Sequence, residues 1–568
     1  MKVPALLSPH RRTLLMRLIL NGMAQAGAAG LIAWLFRRVF DDVIRHVQPG
    51  SEASLLWIGA GLLASAFALF WLRRTEHVDA ERVGQDYTNE IRLLLFDRMR
   101  RSNLRDFQRL GRGATMLRFI GDLNSLRRWV SLGVARLTVG GVSAVGGILV
   151  LSIINWHLAL AAGIVLLVGV SVVLMMGRKM QAVVVESRRH RSRLATNVSE
   201  KIASLAVLQV FGRSDDESRR VAKQSGRLRD AMIDQARMSG ILRGISDGVT
   251  HVASFTVLLV GAFQVLAGLT TPGTVVAAIG IVGLLTPSMR DLGRVYEYWQ
   301  TAQVAQQKIL NFLTLPQLDA SNSKLPPLLS GPGQLTFCDA TIDGVLQQFS
   351  AEIEVGQQIA LVGPNGAGKS SLLCAVARLV NLDAGNILLD GQDIALHDPE
   401  SVHRAISMLS PDLPLMRGTL LQNLIYRAPK ADKEHVEQII HLCGIEELLR
   451  ELPEGVNTRM TEAGLNISPG QRQRIALARA LMGNPVVLLL DEADENLDPQ
   501  ASRVLDQVLE QRRGTTVIIS HRIERIRKAD MIWYMADGRL LEVGRPDELL
   551  DTDSYTSQLF CTDYSKVG

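Results

Sequence analysis

The sequence predicts an all-α transmembrane domain of six helices with long cytoplasmic extensions, followed by a separate α/β domain. Up to about position 310, apolar runs long enough to cross a bilayer alternate with Arg-rich stretches. Beyond that position, short apolar runs typical of strands alternate with helical patterns. A segment rich in Pro, Ser and Gly lies between the two parts. We therefore expect the transmembrane domain over residues 1–314, a linker over 315–334 and the α/β domain over 335–568.

The transmembrane domain is predicted from six apolar segments, each close to the ~20 residues that span a bilayer as a helix. The last segment is short and interrupted by Pro287, and we expect it to continue through Tyr296 and Trp299 at the membrane interface. The first segment is similar to a signal peptide, but Arg17 interrupts its apolar core, which favours a retained span. The six segments are Leu14–Phe36, Ser54–Leu72, Leu132–Ile154, Leu158–Gly177, Val249–Leu269 and Thr274–Met289.

The distribution of basic residues predicts the orientation of the chain. Lys and Arg are concentrated in the long loops that follow the second and fourth spans, whereas the short loops after the third and fifth spans contain none. Because basic loops stay on the cytoplasmic side, we expect the N-terminus and both long loops in the cytoplasm. These loops also account for the net charge of +6, so we expect no nucleic-acid partner. The size of the chain, with six spans and one α/β domain, leads us to expect a bacterial inner membrane as the location.

The long loops are predicted to be helical rather than disordered. In residues 185–212, which belong to the second of them, apolar positions recur near helical spacing with charged residues between them. Helices of this kind would carry the spans well into the cytoplasm.

The α/β domain contains a phosphate-binding motif near its start. The apolar run Gln357–Val362 leads into GPNGAGKSS and then into an apolar helix. Strand, glycine-rich loop and helix start together form a P-loop, whose backbone N–H groups and helix dipole bind phosphate. We expect Lys369 to reach the β- and γ-phosphates and Ser370 to bind Mg²⁺, in an α/β P-loop NTPase domain. The predicted binding residues are Gly363, Pro364, Asn365, Gly366, Ala367, Gly368, Lys369, Ser370 and Ser371.

Two further strands end in polar residues that fit the same chemistry. The apolar run Pro485–Leu490 is typical of a buried parallel strand, and Asp491 and Glu492 follow it. Ligands of open α/β sheets bind at the carboxyl ends of the strands. We expect Asp491 to hold Mg²⁺ through water and Glu492 to polarise the attacking water. His521 follows the strand at Thr515–Ser520, and we expect it to contact the γ-phosphate at the same edge.

A predicted helix start completes the set of motifs. In ISPGQ, Ile467 to Gln471, Ser468 is a good N-cap and Pro469 suits the first helical position. Beside the P-loop and the acidic strand end, this segment resembles the LSGGQ signature of the ATP-binding cassette (ABC) transporter family, exporter type. The segments Gly113–Asp122 and Val207–Glu217 resemble the cytoplasmic loops of that family, so the resemblance covers the whole chain.

The resemblance implies a transporter half that binds ATP and Mg²⁺ and works as a dimer in the lipid bilayer. Two nucleotide-binding domains would associate head to tail, with Ser468, Gly470 and Gln471 of one chain facing the γ-phosphate held by Lys369 of the other. The second half would be an identical copy or a related chain. Catalysis would depend on Glu492, together with His521 and Lys369.

Several positions depart from the family pattern. Pro469 replaces a glycine and removes one N–H, which we expect to weaken the site without abolishing it. Pro411 stands where the family has a glutamine that reaches Mg²⁺ and reports to the membrane domain, and Asp412 is a candidate oxygen ligand beside it. The aromatic residue that stacks on adenine in the family is missing near Asp343 or Gly344, a loss of about 1 kcal/mol of stacking energy that would also relax the base preference. Glu495 stands where a serine is usual.

We predict an ATP hydrolase coupled to transmembrane transport, which exports an amphipathic substrate such as a peptide, a lipid or a drug-like molecule. Three alternatives stay open. The chain could be an importer of exporter fold, for example for a siderophore, or a catalytically impaired half of a heterodimer, or an ATP-binding membrane sensor without transport. Pro411, Pro469 and the altered adenine site motivate the second alternative, and no motif identifies the substrate.

Overall fold

The computed structural model describes residues 4–44, 51–110, 112–318, 325–494 and 497–564. Glu495 and part of the expected linker, residues 319–324, lie outside these ranges. The chain divides into two compact units, one of Met1–Arg100 with Leu110–Leu315 and one of Arg101–Arg109 with Pro316–Gly568. The short segment Arg101–Arg109 therefore belongs to the second unit, although its neighbours in sequence belong to the first.

The first unit is built from long helices, with no strand in its described part. Each of the six predicted apolar segments lies in, or largely overlaps, a helix long and apolar enough to cross a membrane, which confirms six candidate spans among the described residues. Its helices, with the short α3 that belongs mainly to the second unit, are α1 (Pro9–Arg38), α2 (Ser51–Arg100), α3 (Leu104–Leu110), α4 (Arg112–Leu117), α5 (Leu123–Arg128), α6 (Arg136–Ile154), α7 (Trp156–Ala203), α8 (Leu205–Val210), α9 (Ser214–Leu266) and α10 (Pro272–Leu313). Short π-helical segments at Val39–Ile44, Arg118–Asp122 and Trp129–Ala135 extend or connect them.

The helices of this unit extend far beyond the length of a span. Helix α9 has 53 residues, which corresponds to about 80 Å, whereas the hydrocarbon core of a bilayer is about 30 Å thick. The helical character predicted for the long loops is therefore confirmed. Helix α10 runs without a break through Pro287, Tyr296 and Trp299, so the expected interruption at Pro287 is wrong and the expected continuation is confirmed. Membrane helices tolerate proline because neighbouring groups satisfy the freed backbone.

The second unit is an α/β domain. Its strands are β1 (Leu335–Ile342), β2 (Leu346–Ile353), β3 (Gln358–Val362), β4 (Ala384–Leu389), β5 (Gln392–Asp393), β6 (Ile406–Leu409), β7 (Gly418–Thr419), β8 (Arg459–Met460), β9 (Val487–Asp491), β10 (Thr515–Ile519), β11 (Met531–Ala536) and β12 (Arg539–Gly544). Its helices are α11 (Lys369–Val376), α12 (Pro399–Ala405), α13 (Leu420–Leu424), α14 (Lys433–Leu442), α15 (Ile445–Glu451), α16 (Pro469–Leu481), α17 (Pro499–Gln511), α18 (Ile523–Ile526), α19 (Pro546–Leu550) and α20 (Tyr555–Tyr564).

A six-stranded sheet forms the centre of this domain. Its strand order is β12-β11-β3-β10-β9-β6, and all neighbours except β11 and β12 are parallel. Along β9, Leu488 and Leu490 pack into one hydrophobic core, and Val487 and Leu489 pack into another. Because both faces are covered, the strand is apolar at every position rather than at every second one. A four-stranded antiparallel sheet, β2-β1-β4-β5, contributes to the second core.

Candidate nucleotide-binding site

The central sheet places the three predicted strand ends side by side. Strand β10 lies between β3 and β9, and Ile519 is in register with both Leu361 and Asp491. The P-loop, the acidic pair and the segment of His521 therefore leave the same edge of the sheet from adjacent parallel strands. This is the edge at which open α/β sheets bind ligands.

The P-loop has the backbone geometry of a phosphate cradle. Gly363 has φ 142°, and a Cβ at this position would lie 2.0 Å from the Met535 carbonyl oxygen, so no larger residue fits. Lys369 is the first residue of α11, and its ammonium group donates to the carbonyl oxygens of Gly363 (2.7 Å) and Pro364 (3.0 Å). The cation and the N-terminus of the helix thus lie at the same end of the loop, where both favour an anion.

Ser370 and Asp491 meet between the P-loop and β9. The Ser370 hydroxyl donates to Asp491 Oδ1 at 2.9 Å, and the Ser410 hydroxyl donates to Asp491 Oδ2 at 3.3 Å. Burial raises the pKa of Asp491, the two hydroxyl groups oppose that shift, and the carboxylates of Glu492 and Asp412 add to it. Hydroxyl and carboxylate oxygens are hard donors, so this pair fits Mg²⁺ completed by phosphate oxygens and water. Among the described residues, no cluster of three His, Cys, Asp or Glu side chains offers an alternative metal site.

Charge interactions connect Lys369 to both acids. Burial lowers the pKa of Lys369, and the carboxylates of Glu492 and Asp491 oppose that shift without cancelling it. Glu492 follows β9 with φ 51°, a left-handed conformation that is uncommon for a residue with a side chain. His521 directly follows Ser520 after β10, and its side chain is exposed. Lys369, Asp491 and Glu492 are thus brought together, and His521 lies one strand away at the same edge.

The helix start at Ser468 forms as predicted. Ser468 caps α16, Pro469 is the first helical residue, and Ser468 and Gln471 exchange hydrogen bonds between backbone N–H and side chain at 3.2 and 3.0 Å. The Gln471 amide also donates to Glu451 at 3.1 Å. The described hydrogen bonds of Ser468 and Gln471 thus stay within this region and do not reach the P-loop of the same chain. At the first turn of α16, the Gln471 N–H donates to Ser468 and Pro469 has no N–H. The Gly470 N–H is therefore the backbone donor of this turn that has no described hydrogen bond.

Sequence reasoning missed the role of Ser410. The adjacent Pro411 and Asp412 drew attention as departures from a family pattern, while the serine has no motif of its own. The structure places its hydroxyl on the carboxylate of Asp491. The missing adenine-stacking residue corresponds to a tight turn: only Asp343, Gly344 and Val345 connect β1 to β2, and none is aromatic.

Two family models match the chain. The model described as ABC transporter transmembrane region matches residues 15–289. The model described as ABC transporter matches residues 346–495, which include the P-loop, the segment at Ser468 and the acidic strand end. Together they cover most of both units.

Relatives and a solved structure agree with the two models. The chain is 26% identical over 535 residues to an ATP-dependent lipid A-core flippase of Syntrophus aciditrophicus, covering 93% of this chain and 88% of the relative. It is 26% identical over 459 residues to a fatty acid ABC transporter ATP-binding/permease protein of Mycobacterium tuberculosis, covering 80% and 73%. The structure of a bacterial Atm1-family ABC exporter with ATP bound superposes with a TM-score of 0.85 at 22% identity, covering 98% of both chains.

Proposed function

The chain belongs to the ABC transporter family as a membrane domain fused to an ATP-binding domain, and from this premise we propose that it works as one half of a dimeric, ATP-driven exporter of amphipathic molecules. The observation that carries the proposal is the cluster of Lys369, Ser370, Asp491 and Glu492 in a chain whose described residues also include six candidate spans. Hydrolysis of ATP bound at such a site would supply the energy, and the spans would supply a path across the membrane.

Each residue of the site has a chemical role in the proposal. Lys369 and the P-loop backbone neutralise and orient the phosphates. Ser370 and Asp491 would hold Mg²⁺, which when bound withdraws charge from the β- and γ-phosphate oxygens. Glu492 accepts a proton from the attacking water, and His521 contacts the γ-phosphate at the neighbouring strand end. The left-handed backbone at Glu492 turns the chain sharply after β9, which sets the direction of its carboxylate.

The second half of the transporter would complete the site. Ser468 is exposed, so its side chain is available to a phosphate on another subunit. Gly470 is buried beside Asp498, and its N–H, which has no described partner, would join Ser468 at that phosphate once the dimer forms. Closure of two cassettes around ATP would use the higher affinity of the closed dimer for nucleotide, and hydrolysis would reopen it. A symmetric pair of chains provides two such sites.

Exposed apolar residues also support a dimer. Helix α8 forms the turn between α7 and α9, and Val210 and Phe211 at its end are 79% and 73% exposed. Exposed apolar patches of this kind mark interaction sites. We propose that the α8 turn docks on the second subunit, with the charged extensions of α7 and α9 holding it away from the bilayer.

The segment Arg101–Arg109 provides a route for coupling. It connects α2 to the helices of the third span in sequence, and it packs within the nucleotide-binding unit. The Leu104 N–H donates to the carbonyl oxygen of Leu379 at 3.0 Å, and Leu379 lies just beyond the end of α11. Helix α11 begins at Lys369 of the P-loop. A displacement of this helix would therefore move Leu379 and, through the hydrogen bond, the segment Arg101–Arg109, which continues from α2.

A cavity of about 240 Å³ in the membrane unit supports an amphipathic substrate. Its lining includes apolar residues such as Ala29, Gly147 and Ile281 as well as charged ones. Along α10, the lining residues Ile281 and Asp291 are ten residues apart, a rise of about 15 Å, or about half the thickness of a bilayer core. Arg73, Glu76, His77 and Asp291 follow the apolar spans Ser54–Leu72 and Thr274–Met289, so the cavity combines an apolar lining with charged residues, as a substrate with a polar headgroup requires. The charged lining residues are Arg73, Glu76, His77, Arg136 and Asp291.

The partners of these charged residues favour a negatively charged headgroup. Arg136 lies 3.7 Å from Asp291, and Glu76 accepts a 2.8 Å hydrogen bond from Gln25. No hydrogen bond or ion pair is described for Arg73, which leaves its guanidinium available to an anion. The names of the two relatives point the same way, since one flips a lipid A-core and the other carries fatty acids.

ATP turnover by the chain purified alone in lipid nanodiscs tests the proposal. We expect turnover that Glu492→Gln abolishes while nucleotide binding persists. Turnover unchanged by this substitution would refute the role of Glu492. Nucleotide binding without turnover by the unaltered chain would refute a self-sufficient homodimer and identify the chain as one half of a heterodimer.

Lipid movement in proteoliposomes tests the substrate class. We expect ATP-dependent movement of fluorescent lipids with anionic headgroups, reduced by Arg73→Gln. The matched control is Arg74→Gln, because Arg74 stacks over Trp71 with 4.9 Å to the ring centroid and does not line the cavity. Equal effects of the two substitutions would refute recognition by Arg73, and ATP turnover without movement of any lipid would favour a sensor.

A further inference from the structure

A buried ion pair holds the loop that carries Glu492. Asp494, which follows Glu492 closely, pairs with Arg525 of α18 at 2.9 Å between Oδ2 and Nη1. Their side chains are only 6% and 3% exposed. The phosphate chemistry proposed above uses neither residue.

The ion pair connects the two strand ends that carry Glu492 and His521. The Ser520 hydroxyl donates to Asp494 Oδ2, and Ser520 immediately precedes His521. The Arg522 N–H donates in turn to the Ser520 hydroxyl at 3.0 Å. The carboxylate of Asp494 therefore binds the backbone turn around His521 to the loop after β9.

Helix α17 fixes Arg525 from its other side. Arg525 Nε and Nη2 donate to Asp506 Oδ1 at 3.0 and 2.8 Å, and Nη2 also donates to Ser502 at 3.1 Å. Nη1 lies beside Asp494 as an ion pair without a hydrogen bond, so the planar guanidinium places its charge between two acids in a way that an ammonium group cannot. Since an unpaired buried charge is strongly unfavourable, the arginine keeps Asp494 in place.

The backbone of Glu492 requires restraints of this kind. Its φ of 51° is a strained conformation, and strained residues persist only where the surrounding structure determines them from several directions. On one side, the Gln473 side chain of α16 donates to the carbonyl oxygen of Ala493. On the other side, Asp494 is held by Arg525 and Ser520.

We infer that Asp494 and Arg525 are positioning residues for ATP hydrolysis, which keep Glu492 in its left-handed conformation and in register with His521. The inference rests on the proposed function and extends it to a pair outside the phosphate-binding residues. Both act through Glu492 and His521 rather than by touching the nucleotide.

The test compares Asp494→Asn with Asp506→Asn in the full chain in nanodiscs. Both substitutions remove one acid from the same arginine, but only the first removes the charged carboxylate that connects the two strand ends. We expect Asp494→Asn to lower kcat by about tenfold or more, with nucleotide affinity and KM changed less than about twofold. We expect Asp506→Asn to stay within about twofold of the unaltered kcat. Arg525→Lys should give an intermediate kcat, because lysine keeps the positive charge but lacks the planar guanidinium that reaches both acids.

Hydrogen–deuterium exchange provides a readout that does not depend on turnover. With nucleotide bound, residues 491–494 and 519–522 should exchange faster together in Asp494→Asn and remain protected in Asp506→Asn. Unaltered kcat and unaltered exchange in Asp494→Asn would overturn the inference. Equal losses of kcat in both variants, in proportion to the fall in their unfolding temperatures, would overturn it as well. If Asp494→Asn fails to fold, Arg525→Lys decides by the same two measurements. A chain that binds ATP without hydrolysing it on its own would refute the self-sufficient homodimer of the proposed function, and the exchange comparison would still decide the inference.

Discussion

Replacing Pro469 with glycine should restore a donor to the start of α16. In the structure the first turn offers the Gly470 N–H, because Ser468 occupies the Gln471 N–H and proline has none. A hydrogen bond to a charged group contributes about 1.5–3 kcal/mol. Since about 1.4 kcal/mol corresponds to a factor of ten, the closed dimer should bind ATP roughly ten- to a hundredfold more tightly.

The same substitution should lower stability slightly. Proline restricts the unfolded chain, and its replacement at a compatible site costs about 0.4–1 kcal/mol. In a domain of this size, that loss lowers the unfolding temperature by roughly 1–4 °C. The matched control is Pro399→Gly, since Pro399 also begins a helix, α12, behind a side-chain cap, Asp398, and lies outside the site.

ATP affinity and thermal unfolding are measured on Pro469→Gly and Pro399→Gly, each combined with Glu492→Gln so that hydrolysis does not reopen the dimer. We expect tighter ATP binding in the first variant only, and a similar small loss of stability in both. An ATP affinity that stays unchanged in Pro469→Gly, while its unfolding temperature falls, would refute the claim that the missing N–H weakens the site.

Four further predictions concern the same domain. Because the pKa of Asp491 is raised, its carboxylate takes up a proton at higher pH than an ordinary aspartate does, so Mg²⁺ affinity should begin to fall at a higher pH on acidification. Because the pKa of Lys369 is lowered, its ammonium group loses a proton at lower pH than an ordinary lysine does, so ATP affinity should begin to fall at a lower pH as the solution is made alkaline. Ser410→Ala removes a hydrogen bond that lowers the pKa of Asp491, so the acid limb of the Mg²⁺ titration should move to higher pH; an unmoved limb would contradict this. Gly470→Ala should destabilise the domain by about 1–3 kcal/mol in thermal unfolding, because its Cβ would lie 2.1 Å from Asp498 Oδ2, whereas Gly240→Ala, with no neighbour within 4 Å, should not. Because the tight turn between β1 and β2 has no aromatic residue to stack on adenine, turnover of GTP should come within a few fold of that of ATP. A strong preference for ATP would refute the claim that base stacking is lost.

The sequence predicts the spans and the phosphate site because each is a local signal. Apolar length identifies a membrane helix, and the order of glycines, Lys369 and Ser370 identifies a P-loop without knowledge of its surroundings. The ion pair of Asp494 and Arg525 has no such signal, since its members meet only when β9 and β10 lie side by side. Ser410 was missed for the same reason: its hydroxyl acquires a role only from the position of Asp491.

Pro411 need not uncouple ATP use from the membrane domain. A glutamine at this position would act through a side chain that reaches Mg²⁺, and proline cannot replace it, but the second route proposed above would run through backbone contacts. Helix α11 begins at Lys369 and has eight residues, about 12 Å, and the chain continues from its end to Leu379, which accepts the N–H of Leu104. A short helix moves as a rigid body, so a shift at the phosphate end is transmitted to the segment continuous with α2. This route depends on the shape of the backbone rather than on the identity of one side chain, and a chain that uses it can keep Lys369, Ser370 and Asp491 while tolerating Pro411.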